Sequence, residues 1–430
     1  METIITAVGI DVSKGKSTVA VMRPGGEVVV SPFDVPHTAA DIAALAASLQ
    51  AIEGEVRIVM EYTGVYYLPI ARSLSDAGLF VSVVHAKLVH DFGNNSIRRG
   101  KTDRKDAVKI ANYALANWTS LSQFLPENVI RQQLKTLNRQ YSKFNSMKIA
   151  LKNSLIALLD QTFPGLNTLL SNESRATDGH EKWIDFALRF WHRDCVAGLS
   201  QTKFTEAYRK WCKKTGYRAY DNKAELIYET AKMSVAVLPK DNLTKFIIVQ
   251  SAGQLNAMLD AVFALQNEMN TLAARLPEYD VVMSMYGVGK TLGPQIIAEI
   301  GDVSRFHSKH ALTAFAGLDA PPYQSGQFEL KERKISKRGS PHLRRTLFCV
   351  MSVIIQGRPA DDDVFRFMDK KRAEGKHYYV YMTAAANKFL RVYYGKVKLH
   401  VSELAEKTKD APDSKADVLT AFGSVVCLPT

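Results

Sequence analysis

The chain has 430 residues, 46% of them hydrophobic, so it can bury a substantial core and form about two to four domains. Its net charge of +13 favours a polyanionic partner, most often nucleic acid. Cys195, Cys212, Cys349 and Cys427 form no C-x-x-C pair, which disfavours a zinc site or a disulfide framework and fits a reducing cytoplasm. The first residues predict a strand rather than a signal peptide, and no apolar run suggests a membrane span, so we expect a cytoplasmic protein with no membrane partner.

The first predicted elements alternate between strands and helices. TIITAVGI, STVAVM and EVVVS predict three strands in a meander. The helical stretch TAADIAALAASLQAI, a fourth strand ending at Glu61, a helix over about 65–76, the strand FVSVV and a helix beginning near Thr102 follow. This order is typical of an RNase H-like α/β domain, which we place at residues 1–125.

Two heptad patterns occupy the middle of the chain. Their positions are Leu134, Leu137, Tyr141, Phe144, Lys148, Leu151, Leu155 and Leu158, then Leu255, Met258, Val262, Leu265, Met269, Leu272 and Leu276. Such a repeat predicts one apolar seam along each helix, so we expect coiled-coil arms at 126–160 and 246–278. Amphipathic helices packed on a globular core would give the same pattern. Residues 161–245 between the arms are predicted to form a helical insert.

The first arm also carries a basic stripe. Arg131, Lys135, Arg139 and Lys143 follow one another at steps of four residues. A solvated helix face and a track for DNA phosphates are both consistent with this spacing.

The last third is predicted to be a mostly α-helical domain over 279–400, followed by a loosely ordered polar tail over 401–430. It contains GVGKT, which resembles part of a P-loop. Ser284 stands where that motif requires glycine, and no suitable strand precedes it, so we exclude nucleotide hydrolysis. We interpret the segment as a turn between helices whose backbone amides hold a DNA phosphate.

Four acidic residues stand at the ends of predicted elements. Asp11 and Glu61 end strands one and four, while Asp103 and Asp106 share a face at the start of a helix. Each alone is ordinary, but four converging carboxylates repel one another unless a cation neutralises them. Oxygen ligands of this kind suit Mg²⁺, which we predict as the cofactor. Neighbouring cations predicted to contact nucleic acid are Arg98, Arg99, Lys101, Arg104 and Lys105.

GIDVSK, MEYTGVYY and KTDRKDA resemble the three signature segments of the DEDD insertion-sequence transposases, the IS110 family and its sister group. The resemblance covers roughly residues 5–115 and implies a RuvC-like N-terminal domain. It places the family's four metal-binding and catalytic acids on Asp11, Glu61, Asp103 and Asp106.

A second resemblance lies in GVGKTLGPQIIAEIGDVSRF, AFAGLDAPPYQSG and ISKRGSPHLRRTL, which are similar to the C-terminal transposase domain of the same family. It implies that Ser325 is the catalytic nucleophile and forms a covalent phosphoserine link to DNA. For Ser336 and Ser340, the competing serines, phosphate contact is the predicted role. Cations predicted to bind nucleic acid downstream are Lys331, Arg333, Lys334, Lys337, Arg338, Arg344 and Arg345.

These patterns predict a magnesium-dependent DNA recombinase of an insertion sequence. The resemblance further implies donor and target DNA, a structured guide called a bridge RNA, and a homo-oligomer, dimer or tetramer, in which the two domains meet across protomers. One alternative is a RuvC-like, structure-selective endonuclease, a Holliday-junction resolvase without serine chemistry. The other is a non-catalytic nucleic-acid-binding protein.

Overall fold

A computed structural model describes residues 4–409 except 63, 93–101, 172, 323, 326–327 and 330–333. The chain divides into two compact units, residues 1–127 and 128–430, which we describe separately.

The N-terminal unit has the predicted alternation of strands and helices, with one short helix, α3, that the sequence did not indicate. Its elements are β1 (Ile5–Val12), β2 (Lys16–Met22), β3 (Val28–Pro36), α1 (Ala39–Gln50), β4 (Glu55–Glu61), α2 (Tyr67–Asp76), β5 (Phe80–Val84), α3 (Ala86–Phe92) and α4 (Asp103–Ala116).

The five strands form one mixed sheet in the order β3-β2-β1-β4-β5. β1 runs antiparallel to β2 and parallel to β4, and β5 runs parallel to β4. Because side chains alternate along a strand, Val8 and Ile10 pack under α1 and α2 while Ala7 packs under α4. This arrangement is compatible with the predicted RNase H-like class, and its RuvC-like details stay a prediction.

The C-terminal unit is helical apart from one small hairpin. Its elements are α5 (Val129–Leu159), α6 (Leu166–Leu169), α7 (Lys182–Arg189), α8 (Asp194–Ala197), α9 (Gln201–Thr215), α10 (Asp221–Met233), α11 (Asn242–Ala273), α12 (Tyr279–Met283), α13 (Leu292–Ile300), α14 (Lys309–Phe315), β6 (Gln324–Ser325), β7 (Phe328–Glu329), α15 (Pro341–Gly357), α16 (Asp363–Ala373) and α17 (Tyr378–Lys409). The predicted polar tail is wrong for residues 401–409, because Val401 still packs on the core and α17 continues.

The two heptad segments fall on the long helices α5 and α11, which pack against each other. One end of this pair joins an aromatic core built around Trp183, Phe186 and Tyr208 of the insert. The other end joins the core formed by α13, α15 and α17. Coiled-coil geometry itself stays a prediction.

The expectation that no segment is apolar enough to span a membrane is wrong for α11. This helix contains an 18-residue window that passes the length and composition criteria for a span. Ile248, Ala252 and Leu255 lie at steps of three and four and pack in the core of the insert. A core helix passes the same criteria, so the helix is weak support for a membrane location.

Candidate active site

The first determinant of the site is the close approach of β1 and α4 at Gly9. A Cβ atom built on Gly9 would lie 2.1 Å from the carbonyl oxygen of Ala107 and 2.3 Å from the amide nitrogen of Ala111. The facing residues of α4, Ala107, Ala111 and Ala114, are small and fully buried. Glycine opposite alanine therefore lets the helix lie directly on the strand.

Asp11 and Glu61 lie on the same face of the sheet as this helix. Ala7 of β1 and Val59 of β4 both pack with α4, and Asp11 and Glu61 follow them at even spacing. The parallel pairing of β1 with β4 ends at Ile10 opposite Met60, one step before the two acids. Since adjacent strands are about 4.8 Å apart, the backbones at Asp11 and Glu61 are close neighbours.

The start of α4 lies at the same end of the sheet. Thr102 caps the helix by accepting a hydrogen bond from the Lys105 amide, and Asp103 and Asp106 occupy the first turn. Asp103 Oδ2 lies 4.0 Å from Nζ of Lys16, which begins β2 beside the end of β1. The backbone thus places all four predicted acids at the same end of the strands and on the same face of the sheet.

These acids do not form a closed ligand cluster. Among the described residues, no group of three or more His, Cys, Asp or Glu side chains is arranged to hold a metal ion. Asp11 and Glu61 each have interaction partners, and Asp103 faces Lys16. Metal binding by the four residues therefore stays a prediction.

Sequence reasoning missed a fifth acid in the same row. Asp34 pairs in register with Thr18, and Thr18 pairs with Asp11, so the three residues lie side by side across β3, β2 and β1. Lys16 Nζ donates a hydrogen bond to Asp34 Oδ2 at 2.9 Å, and Thr18 donates one to Oδ1 at 2.7 Å. The two hydrogen bonds lower the pKa of Asp34. The hydrogen bond between Lys16 and Asp34 also raises the pKa of Lys16.

The described cations predicted beside the acids are Arg104 and Lys105, both exposed. Arg98, Arg99 and Lys101 lie outside the described residues. No contact of these three with nucleic acid is inferred from the structure.

The predicted nucleophile lies in the C-terminal unit. Ser325 ends β6, and its backbone pairs with Phe328 at the start of β7. The loop before this hairpin is held by the segment that follows it. Ser336 N donates to the Asp319 carbonyl at 2.7 Å, and Lys337 N donates to the Gly317 carbonyl at 3.1 Å.

The hydroxyls of the two competing serines are hydrogen-bonded within the protein, and their contact with phosphate stays a prediction. Ser336 Oγ donates to Asp319 Oδ1 at 2.5 Å. Ser340 Oγ donates to buried Glu299 and accepts from the Leu343 amide, which caps α15. Both hydroxyls are therefore already engaged within the protein.

The cations near this segment divide into three groups. Lys334, Lys337, Arg338 and Arg345 are exposed. Arg344 is half-buried and donates to the Ala316 carbonyl at 2.9 Å, so it also holds the loop. Lys331 and Arg333 lie outside the described residues. Lys337 has a positive φ of 53°, a conformation that is uncommon for lysine and fixes the direction of this basic turn.

Two of the four cations in the basic stripe of α5 pair with buried carboxylates. Arg131 forms a two-pronged ion pair with Glu278, whose side chain is 2% exposed. Arg139 and Asn138 both donate to Glu299, which is 1% exposed and also accepts from Ser340. Arg131 is therefore recruited by a buried carboxylate, whereas Arg139 keeps 41% of its side chain exposed beside Glu299.

The GVGKT segment lies between α12 and α13, in agreement with its interpretation as a turn between helices. Two side chains of α11 hold it in place. Asn270 donates to the Lys290 carbonyl at 2.7 Å, and Gln266 donates to the Thr291 hydroxyl at 2.9 Å.

Comparison with known families gives two matches in this chain. The sequence model for DEDD transposases of the IS110 type, described as "Transposase", matches residues 8–164. The model described as "Transposase IS116/IS110/IS902 family" matches residues 279–365. The chain belongs to the IS110 family of transposases. In this IS110-family transposase, the first match contains all four predicted acids and the second contains Ser325.

Relatives of the transposase support the assignment along most of its length. It is 23% identical over 378 residues to an uncharacterised protein of insertion element IS110 from Streptomyces coelicolor, covering 87% of this chain and 89% of that protein. It is 24% identical to an uncharacterised protein of IS900 from Mycobacterium paratuberculosis, covering 91% and 95%. It is also 21% identical to the pilin gene-inverting protein of Moraxella bovis, covering 80% of each.

Proposed function

We propose that this IS110-family transposase cuts and rejoins DNA at the ends of an insertion sequence. Asp11, Glu61, Asp103 and Asp106 bind Mg²⁺ in this proposal, and Ser325 is the nucleophile. The proposal is supported most by the backbone arrangement: Asp11 and Glu61 end neighbouring parallel strands, and Asp103 and Asp106 begin the helix that packs on those strands at Gly9. The Moraxella relative is named for gene inversion, a process in which DNA strands are cut and rejoined.

The donor set fits a hard divalent cation. All four side chains offer carboxylate oxygens, which are the ligands that Mg²⁺ prefers. Magnesium held there would neutralise charge on the phosphodiester and stabilise the attacking and leaving oxygens. The four acids would come together around it, because carboxylates at such spacing repel one another without a cation.

The serine contributes covalent chemistry. Ser325 Oγ forms a bond to phosphorus while the bond from phosphorus to a deoxyribose oxygen breaks, and the hydroxyl proton passes to solvent or to the leaving oxygen. A second DNA hydroxyl then reverses the step and releases the serine, so the number of phosphodiester bonds is conserved. Lys334, Lys337 and Arg338, exposed beside the hairpin, stabilise the charged phosphate during both steps.

The remaining partners follow from the same proposal. The acids and Ser325 belong to different units of the chain. In this proposal, as the family resemblance implies, a homo-oligomer brings them to one phosphodiester across protomers. Donor and target DNA are chosen by a structured guide RNA. The basic surplus of the chain supports binding of both nucleic acids.

A covalent-trapping experiment tests the serine chemistry. Purified protein is mixed with Mg²⁺, RNA transcribed from its native locus and a labelled, nicked DNA carrying the element end. The wild type is expected to give a protein–DNA adduct on denaturing gels, and Ser325→Ala is expected to give none. Ser402→Ala, which alters an exposed serine of α17, is the matched control and should behave as wild type.

Two outcomes would contradict the proposal. Recombination by Ser325→Ala would favour the structure-selective endonuclease without serine chemistry. If the wild type cleaves no DNA with any RNA transcribed from the locus and any divalent metal tested, a non-catalytic nucleic-acid-binding protein would be favoured.

A further inference from the structure

The junction of α16 and α17 carries an exposed aromatic surface that the proposed chemistry does not use. Residues 372–380 are all exposed. Tyr379 is 65% exposed, Tyr378 is 43% exposed and Val380 is 53% exposed. Large apolar side chains that are exposed together usually mark a binding surface. The junction lies beyond the region matched by the second family model.

The tyrosine rings are held by the core rather than left loose. Tyr381 is buried in the C-terminal core, and the Tyr378 ring packs edge-on against it at 5.4 Å. The Tyr379 ring packs edge-on against Tyr378 at 5.2 Å, and His377 lies 6.0 Å from Tyr379. The exposed rings are therefore pre-positioned, which reduces the conformational entropy that a ligand would have to remove.

The segment that leads into these tyrosines is rich in positive charge. The last turn of α16 contains Lys370, Lys371 and Arg372, and Lys376 follows in the connecting turn. Glu374 accepts a hydrogen bond from Lys371 at 2.7 Å, and Asp369 lies 3.6 Å from Arg372. Within the described part of the chain, Lys370 and Lys376 form no ion pair, and both are exposed.

The lysines act on one carboxylate together. The pKa of Glu374 lies below its usual range, first because Lys371 donates a hydrogen bond to it and further because of the charges of Lys371, Lys370 and Lys376. Of the described residues, only Lys371 contacts this carboxylate, and the segment 370–376 contains four cations and one acidic residue, so the local surplus is positive. Such a surplus favours a polyanion over a protein partner, because lysine is depleted from protein interfaces.

We infer that Tyr378 and Tyr379, flanked by Lys370 and Lys376, form a stacking platform for the unpaired nucleotides of a single-stranded nucleic acid. Exposed aromatic faces beside phosphate-binding cations are the arrangement with which proteins hold single strands. The bases stack on the rings, and the lysines contact the backbone phosphates. The single strand is supplied either by DNA opened during strand exchange or by an RNA loop, since both present the same chemistry. The inference extends the proposed function, which gives the chain nucleic-acid substrates.

Fluorescence anisotropy with the full chain in EDTA tests the platform. The probes are labelled oligodeoxythymidine, oligouridine and a DNA duplex. Tyr379→Ala is expected to weaken binding of at least one single strand by about tenfold and to leave duplex binding within about twofold. Tyr379→Phe keeps the ring and should bind within about twofold of wild type. Leu399→Ala, another exposed large side chain of α17 at 62%, is the matched control and should change nothing.

The lysines have a separate readout. The double variant Lys370→Gln and Lys376→Gln should reduce the slope of log affinity for a single strand against log salt concentration by about 1.4.

The two single-stranded probes distinguish the sources of the strand. If Tyr379→Ala loses binding of oligodeoxythymidine alone, the strand is DNA. If it loses binding of oligouridine alone, the strand is RNA.

Three results would overturn the inference: unchanged single-strand binding by Tyr379→Ala, an equal loss for duplex and single strand, or a lower oligomer mass of Tyr379→Ala in light scattering. The last result would make the rings a self-association surface. The binding assay contains EDTA, so it does not depend on metal-dependent cleavage. If single strands bind as expected but the protein never recombines DNA, the platform is supported and only the proposed function is refuted.

Discussion

At the residue scale, the candidate active site depends on Gly9. The contact between β1 and α4 has no room for a side chain, since the nearest atoms to a new Cβ would be backbone atoms of Ala107 and Ala111. Backbone cannot move aside as a flexible side chain can. Any larger residue must therefore push the start of α4, with Asp103 and Asp106, away from Asp11.

Gly9→Ala is expected to lower the free energy of unfolding of the N-terminal unit by about 1 to 3 kcal/mol, as overpacking of a core does. Urea unfolding followed by circular dichroism measures the change. The control is Gly253→Ala on the exposed face of α11, where a new Cβ meets nothing within 4 Å. That substitution should be neutral or stabilising, by up to about 1 kcal/mol. Equal stability of Gly9→Ala and wild type would show that α4 is not held in this position.

The residue scale also shows where sequence reasoning stops. The positions of the four acids near the ends of strands and at the start of a helix were predictable, because each of these elements has its own apolar periodicity. The Lys16–Asp34 hydrogen bond was not, because it depends on the register of β2 with β3, which shifts at Val19, Val21 and Met22. Those shifts leave no sign in the alternation of apolar residues.

At the element scale, the order of strands and helices in the N-terminal unit was predictable from local patterns. The role of α5 was not. Arg131 pairs with a carboxylate 147 residues later in the chain, and Arg139 with one 160 residues later. A stripe of cations looks the same in sequence whether it faces water, DNA or buried glutamates. Only tertiary packing decides between them.

Helix α2 provides a pH-dependent test of the same unit. Burial raises the pKa of Tyr67 to about 12, with further contributions from the charges of Tyr62 and Glu127. The contribution of the protonated Tyr67 side chain to the free energy of unfolding is fully present below pH 10, where the phenol is protonated in the unfolded chain too. This contribution is lost as the pH rises through 12, because the unfolded chain ionises first. At about 1.4 kcal/mol per pKa unit, the loss approaches 2 to 3 kcal/mol.

The measurement is urea unfolding of wild type and Tyr67→Phe at pH 8 and pH 11. The difference in unfolding free energy between the two proteins should shift against the wild type at the higher pH. In the absorbance titration at 295 nm, Tyr67→Phe should lack one of the tyrosines that ionise late in the wild type. A difference that does not change with pH would show that the Tyr67 hydroxyl is not buried as described.

At the scale of the whole molecule, the two compact units divide the work of the proposed reaction. The N-terminal unit contributes the acids, and the C-terminal unit contributes Ser325, the basic turn at Lys337 and the long helices. The surplus of positive charge belongs to the chain as a whole, so DNA affinity should fall steeply with salt. The recombinase assignment rests first on whether the acids bind a metal ion, because the proposed cleavage requires it.

Isothermal titration calorimetry with Mn²⁺, a close substitute for Mg²⁺, measures that binding directly. Saturable binding is expected for the wild type and for Asp34→Asn, whose carboxylate lies in the same row but is already held by Lys16 and Thr18. Loss of binding is expected for Asp11→Asn and for Asp106→Asn, with both variants still folded by circular dichroism. Undiminished Mn²⁺ binding by Asp11→Asn and Asp106→Asn would contradict a metal site at these acids.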